Sequence, residues 1–456
     1  MAGEWTHTTL GSIAAKDGYG LVDGPFGSNL PASCYTPHGV PVIRGSNLSL
    51  GTIRFRSDEF VFVSSETAKR LERSLCRPFD IVFTKKGTLG QTGFVRNDGT
   101  YDLYLLSSNQ MKLTVDQRLA DPMFVYYFVS SPESTRKIIH DSEATGVPKT
   151  NITYLRDFPI VLPPLSEQHA IAHILGTLDD KIELNRRMNE TLEGMARALF
   201  QSWFVDFDPV RMKAEGKRMK AEKKPAADLL HPSSFKLPPS LLDLFPDSFE
   251  DSELGEIPKG WEVMGMDEIA DFLNGLALQK YPPDDGPSLP VIKIAQLRKG
   301  DVEGADRCST DIATEYVVDD GDVLFSWSGS LECVLWTGGN GALNQHLFKV
   351  TSKKFPKWFY YLWIHEHLQD FRQIAAGKAT TMGHIQRHHL SDARVVVPER
   401  NVLSKADQMV SPVLDQMVQL RVESRTLAAL RDALLPKLIS GELRVKDAKR
   451  FVGRVV

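Results

Sequence analysis

Pro163-Pro164-Leu165-Ser166-Glu167-Gln168 opens a run in which Ile171, Leu175, Leu178, Ile182, Asn185, Asn189, Leu192, Ala196, Leu199 and Trp203 follow at alternating spacings of four and three, up to Phe204. That alternation is the a/d seam of a helix packed along another long helix. Gly176 and Gly194 are the breakers inside it, each tolerated at about 1 kcal/mol. The double proline enforces an extended approach, and Ser166 stands where an N-cap belongs. At about 1.5 Å per residue the run would span roughly 60 Å, which suits a spacer or a docking post better than a compact core.

The same design returns near the C-terminus. Ser404-Lys405-Ala406-Asp407 reads as a capping box. Val410, Val413, Met417, Leu420, Ser424, Leu427, Leu430 or Arg431, Leu434 and Leu438 then continue a seam to Ser440-Gly441. Pro412 lies close enough to the start to be absorbed, whereas Pro436 should kink the last turn. Asn185 and Asn189 in one seam and Ser424 in the other are polar positions that lower stability but fix register and partner, so the two helices are expected to pack on each other. The seam residues Leu178, Ile182, Asn185, Asn189, Leu192, Met417, Leu420 and Leu427 are the candidates for helix pairing and partner docking.

A chain of 456 residues with 42% hydrophobic content should hold two or three domains with real cores. No apolar run follows Met1-Ala2-Gly3-Glu4-Trp5 and no stretch approaches a membrane-spanning length, which predicts neither export nor a membrane span, and hence a cytoplasmic protein. Cys34, Cys76, Cys308 and Cys333 lie far apart with no metal spacing, as free thiols in a reducing compartment do. His388-His389 and the His365/His367 pair read as surface residues rather than ligands, so no metal is expected. The formal net charge of −4 argues mildly against nucleic acid unless basic patches are local or a basic partner shares the contact.

Residues 1–164 read as a β-rich globular domain. Strand-like runs fall at 39–44, 51–55, 79–84 and 158–162, helices at 122–129 and 132–140, and a glycine-rich loop at 24–29. The first spacer helix is placed at 165–205. Residues 206–257 carry six prolines, a basic run (Arg211, Lys213, Lys217, Arg218, Lys220, Lys223, Lys224) and then an acidic cluster, and read as a long crossing linker. A second globular domain covers 258–399, a second spacer helix 400–441 and a tail 442–456.

The second domain repeats the first. Pro41-Val42-Ile43-Arg44 matches Pro290-Val291-Ile292-Lys293, and Asp80-Ile81-Val82-Phe83-Thr84 matches Asp322-Val323-Leu324-Phe325-Ser326. Asn109-Gln110 matches Asn344-Gln345, and the spacing then stays constant to Pro163 and Pro398. The fold class is therefore α+β: two similar β-rich domains separated by two long antiparallel helices that form a coiled-coil spacer, a pseudo-two-fold tandem duplication. Such an object suits the reading of two half-sites on B-DNA. The copies share a framework but differ in polar loops, Lys85-Lys86 against Trp327-Ser328 and Pro148-Lys149-Thr150-Asn151 against Gly383-His384-Ile385-Gln386. From loop position and donor chemistry, Lys85, Lys86, Lys149 and Asn151 of the first domain and Lys293, Trp327, Lys378, His384 and Arg387 of the second are the candidates to face DNA.

At this point the chain resembles the specificity (S) subunits of type I restriction–modification systems over essentially its whole length. The resemblance is carried by Pro163-Pro164-Leu165-Ser166-Glu167-Gln168, Leu178-Asp179-Asp180-Lys181-Ile182-Glu183-Leu184-Asn185, Phe204-Val205-Asp206-Phe207-Asp208-Pro209-Val210, Leu254-Gly255-Glu256-Ile257-Pro258-Lys259-Gly260-Trp261, Leu438-Ile439-Ser440-Gly441-Glu442 and Asp23-Gly24-Pro25-Phe26-Gly27-Ser28. It implies two target-recognition domains, each reading half of a split double-stranded site, and helices that dock two methyltransferase (M) subunits, with restriction (R) subunits outside them. Pro398-Glu399 departs from the pattern, because the second helix lacks the double proline and Ser-Glu-Gln start.

No catalytic residues are expected. The Pro-Pro pairs follow Leu162, Leu237 and Tyr281, so none forms the motif an amino-methyltransferase needs, and no phosphate-binding Gly-x-x-x-x-Gly-Lys-Ser/Thr loop exists. S-adenosylmethionine and ATP are accordingly expected on partner subunits and no cofactor on this chain. The competing readings are a helical scaffold whose heads bind proteins rather than DNA, and an enzyme with an unrecognised active site.

Overall fold

Ile81-Val82-Phe83-Thr84 is buried along its whole length, the pattern of a strand covered on both faces. Its side chains alternate between two cores: Ile81 and Phe83 join Met111, Leu113 and Phe124, whereas Val82 joins Ile43, Val95 and Leu106. The computed structural model describes residues 5–50, 53–57, 60–143, 150–221, 239–377 and 383–452. Its contacts divide the chain into one unit of Met1–Glu183 with Thr426–Val456 and another of Leu184–Arg425.

In the first unit this strand lies in an antiparallel sheet ordered Leu21–Asp23, Gln110–Leu113, Ile81–Thr84, Thr92–Phe94. A second sheet contains one parallel pair, Val40–Ile43 beside Tyr104–Leu106. Thr6–Thr9 pairs with Pro159–Leu162 and so ties the start of the domain to the strand that feeds the first long helix. The second unit repeats this plan, with four strands in its second sheet where the first unit has five. Asp271–Asn274, Leu347–Thr351, Val323–Ser326 and Cys333–Leu335 form the antiparallel sheet. Ser288–Ile292 runs parallel to Gly341–Leu343, and Glu262–Gly265 pairs with Arg394–Val397. The duplication extends to an ion pair behind each sheet, Lys112 to Asp80 at 3.0 Å and Lys349 to Asp322 at 2.8 Å.

These ladders correct the repeat alignment. Lys112 faces Val82 and Lys349 faces Leu324, so Lys112 corresponds to Lys349, a two-residue slip from the match of Asn109 with Asn344. Ser107 is the true counterpart of Asn344: their N–H groups donate to the carbonyls of Ile43 and Ile292 at 2.9 and 3.3 Å.

The first long helix is Leu165–Phe200, closed by a π-helical turn over Gln201–Val205, and the second is Arg400–Ile439. Both start earlier than their expected caps. Pro164 C=O accepts the N–H groups of Glu167 and Gln168, and Glu399 C=O accepts that of Leu403, so Ser166 and Ser404 lie inside their helices. The second helix runs unbroken through Pro412 and Pro436. In the first unit Ile171, Leu175 and Leu178 pack with Leu427, Leu434 and Leu438. In the second, Ala196, Leu199 and Trp203 pack with Val402, Val410 and Met417, the order of an antiparallel pair. Asn185 is fully buried and donates to Leu420 C=O at 3.4 Å and to Glu423 at 2.7 Å.

The segment 206–257 is not a bare linker in its described parts. Asp208–Ala221 and Pro239–Leu242 are helical, and Phe249–Ser252 pairs with Gly255–Pro258. Phe207, Val210, Leu241, Phe245 and Ile257 join the core of Trp203, Phe204, Trp261 and Trp358, with Phe204 5.6 Å from Trp358 and Phe207 5.8 Å from Trp261. Of the basic run, Arg211 sits over the Phe249 ring and Lys213 donates to Asp243 C=O. The tail also folds: Val445–Val452 is a helix whose Ala448 is buried in the first core. The strand expected at 51–55 does not form over Ile53–Phe55.

In the first unit the helix pair is tied to the domain by buried charge. Asp179 accepts from Tyr127 Oη at 2.6 Å and Arg431 Nη1 at 2.7 Å, with Arg54 Nε at 3.6 Å. Burial first, and then the Asp179 charge, pushes the Tyr127 hydroxyl well above its ordinary range. Replacing Asp179 by alanine would leave the buried Arg54 and Arg431 with only the exposed carboxylates of Asp180 and Asp432 as ion-pair partners, so Asp179→Ala should lower unfolding free energy by about 3 kcal/mol in urea titration.

His365 and His367 are not surface residues. The His365 ring lies 4.6 Å from Tyr361 and its Nδ1 3.3 Å from Arg197 Nη2. Burial, then the Arg197 charge, lowers its pKa from 6.5 to about 4. The folded state keeps His365 neutral while the unfolded chain takes up a proton. Stability contributed by this group is therefore lost as pH falls from 6.5 to about 4, and His365→Gln should flatten that part of a plot of melting temperature against pH.

Candidate nucleic-acid interface

The antiparallel sheet of each unit ends in a cluster of polar loops held by the same backbone hydrogen bonds. In the first unit Lys85 N–H donates to Asn109 C=O at 2.7 Å, Gly24 N–H to Gln110 C=O at 2.8 Å and Thr150 N–H to Lys85 C=O at 3.1 Å. In the second, Trp327 N–H donates to His346 C=O at 3.3 Å, Gly275 N–H to Leu347 C=O at 3.0 Å and Ile385 N–H to Trp327 C=O at 3.0 Å. The frame is thus the same, but the side chains mounted on it differ. Lys85 corresponds to Trp327, Asp23 to Asn274, Asn109 to His346 and Asn151 to Gln386.

One cross-frame contact shows how far the chemistry has diverged. Lys85 Nζ pairs with Asp23 at 2.8 Å, whereas Trp327 Nε1 donates to Asn274 Oδ1 at 2.9 Å and to Gln345 C=O at 3.2 Å. Around Trp327 the second unit collects His346 and His384, ring centroids 5.7 and 6.3 Å away. Ser328 Oγ lies 3.1 Å from His346 Nδ1, and Gln345 Nε2 lies 3.4 Å from His346 Nε2.

The expected site residues are distributed unevenly. Lys86 is exposed beside the ion-paired Lys85, and the Trp327–His384 pair sits at the end of the second sheet. Arg387 lies over the Phe348 ring at 5.7 Å and donates to Phe272 C=O. Lys293 follows the Ser288–Ile292 strand and pairs with Asp306. Asn151 is exposed, but its Oδ1 caps the Ile152–Asp157 helix by accepting from Tyr154 N–H at 2.8 Å. Lys149 and Lys378 lie outside the described residues. Asp23, Asn109, Asn274, Gln345 and His346 were missed as site residues. Asn109 and Gln345 stood in the repeat match, yet only the ladder register places them beside Lys85 and Trp327.

The seam residues Leu178, Ile182, Asn185, Asn189, Leu192, Met417, Leu420 and Leu427 point toward the paired helix and are buried or half-buried. Leu178 and Leu427 lie in the first core and Met417 in the second, with Ile182 and Leu192 packed against them. The outward positions of the first long helix in the second unit include Leu184, Met188 and Met195, which are 51, 39 and 44% exposed.

Comparison with known proteins decides the family. A profile described as the type I restriction modification DNA specificity domain matches residues 35–194 and again 258–424. The chain belongs to this family. It is similar to the type I restriction enzyme HindI specificity subunit of Haemophilus influenzae, at 25% identity over 400 residues, covering 78% of this chain and 84% of that one. It is likewise similar to the MjaIX specificity subunit of Methanocaldococcus jannaschii, at 22% identity over 410 residues and 85% of each chain. The crystal structure of the S subunit of a type I restriction–modification system from M. genitalium shares the fold, with a TM-score of 0.52 over 95% of this chain and 96% of that one at 14% identity. Among the described residues no cluster of histidine, cysteine and carboxylate side chains could hold a metal ion, and no helix is long and apolar enough to cross a membrane.

Asn151 caps a helix and is also a candidate DNA contact, and the two roles can be told apart. Asn151→Ala should lower stability by about 1 kcal/mol through loss of the cap. Asn151→Asp should keep the cap while removing the amide donors, so melting curves of the two variants, set beside their DNA affinity, distinguish capping from contact.

Proposed function

We propose that this specificity subunit reads a split, asymmetric double-stranded DNA site, one half with the loops around Lys85, Lys86 and Asn109 and the other with those around Trp327, His346 and His384. The observation that supports this reading is the shared backbone frame with different side chains on it. A scaffold for identical protein partners gains nothing from such divergence, whereas two readers of different base sequences require it. The second cluster offers neutral donors, acceptors and aromatic faces, which recognise base edges. The first offers cations, which also suit phosphates.

In this reading the chain performs no chemistry of its own. Two methyltransferase subunits bring S-adenosylmethionine, and restriction subunits bound outside them bring ATP. Reading and catalysis are then divided between chains.

The test is to reconstitute the chain with its methyltransferase and map modified bases in genomic DNA. The expected result is a motif of two short defined halves around a gap of constant length. His346→Ala should relax one half only, weakening binding by about 1–3 kcal/mol at a single base pair. Assembly with the methyltransferase but no sequence motif would defeat the proposal in favour of a protein scaffold.

A further inference from the structure

The turn ahead of the Ile81–Thr84 strand holds Phe79 at φ 76°, in the left-handed region, and the matching turn of the second unit holds Gly321 at φ 91°. The two turns are otherwise alike. Phe79 N–H donates to Val95 C=O at 2.8 Å and Gly321 N–H to Trp336 C=O at 2.7 Å, while Asp80 and Asp322 donate to Arg77 and Asp319 at 3.1 and 3.2 Å. Glycine occupies this conformation freely, but a bulky side chain is strained there. Retaining Phe79 needs a reason, and burial does not supply it. The ring is 41% exposed, and its aromatic neighbour is Phe94 at 6.2 Å.

Instead the ring lines a cleft of about 430 Å³ against the first long helix, with Phe94, Met123, Ala172 and Gly176 among the lining residues. Gly176 keeps this floor low, since a Cβ there would lie 2.9 Å from Met123 Sδ. In the second unit the corresponding turn is covered by the chain itself: Lys357 Nζ donates to Gly321 C=O at 2.8 Å. Pro122 takes the place of that lysine in the first unit and offers no such arm. On the rim Asp180, although paired with Arg54, keeps 72% of its side-chain surface exposed. Lys85 and the reading loops follow the opposite end of the same strand.

We propose that this cleft seats an apolar side chain of the methyltransferase subunit, flanked there by a lysine or arginine that meets Asp180. The inference rests on the reading above that a methyltransferase is the partner. The rim mixes the carboxylates of Asp121 and Asp180 with the imidazoles of His169 and His173 around an apolar floor, an arrangement that suits a protein anchor residue with a polar surround rather than a phosphate backbone. Strained residues cluster at binding sites, and Phe79, unlike the buried Phe207 at φ 58°, gains no burial in return.

The experiment uses the full-length chain and its own methyltransferase subunit, comparing wild type with Phe79→Gly and Phe79→Leu. Phe79→Gly removes both strain and ring. It should melt no lower than wild type, yet bind the methyltransferase at least tenfold more weakly by titration. Phe79→Leu should retain most of the affinity. Unchanged affinity in Phe79→Gly overturns the seat. So does a parallel fall in melting temperature and affinity, which would make the ring a cover for Phe94. A wild-type chain that captures no methyltransferase overturns the broader reading together with the seat, whereas equal capture by wild type and Phe79→Gly overturns the seat alone.

Discussion

Backbone N–H and C=O groups at the end of a sheet need partners, and at the sheet ends that carry Lys85 and Trp327 other backbone groups supply several of them. The donation of Lys85 N–H to Asn109 C=O and of Trp327 N–H to His346 C=O satisfies that demand identically in the two units. Side chains at these positions are thereby released from structural duty. One unit mounts a lysine paired with an aspartate, and the other an indole bonded to an asparagine, without altering the course of the chain. A reader that must differ between its halves while folding alike requires that separation of backbone from side chain.

The helix pairing has diverged more sharply than the sheets. Asp179 and Arg431 form a buried ionic contact in the first unit. By the spacing that matches Pro163 with Pro398, their counterparts are Leu414 and Ala196, both buried in the apolar core of the second. An ionic pair and an apolar pair cannot exchange members without stranding a charge. The two ends of the seam are therefore chemically distinct, and the buried Asn185 adds a further constraint on register.

Much of this was legible in the sequence. The seam spacing, the duplication, the strands beginning at 40, 81 and 159 and the helix from Pro122 to Val129 are local patterns, readable because periodicity and punctuation are local. The segment after Phe204 misled, because its prolines and charges dominate its composition while Phe207, Val210, Leu241 and Phe245 are too scattered to show a period. Ser404 carries the letters of a capping box, yet the helix starts earlier because the residues from Arg400 already have a packed face, with Val402 and Leu403 buried. The site was half legible. Lys85 and Trp327 stood out as loop differences, but their neighbours Asp23, Asn109, Asn274 and His346 come from other strands, and only the ladder register brings them together.

The paired charges behind the two sheets, Lys112 with Asp80 and Lys349 with Asp322, have a different kind of consequence. Neither member can be altered alone without leaving its partner charged in a poor solvent, and a simultaneous change of both is a rare event. Such a pair is easy to inherit and hard to lose. It stands in both halves even though their exposed loops have become strangers.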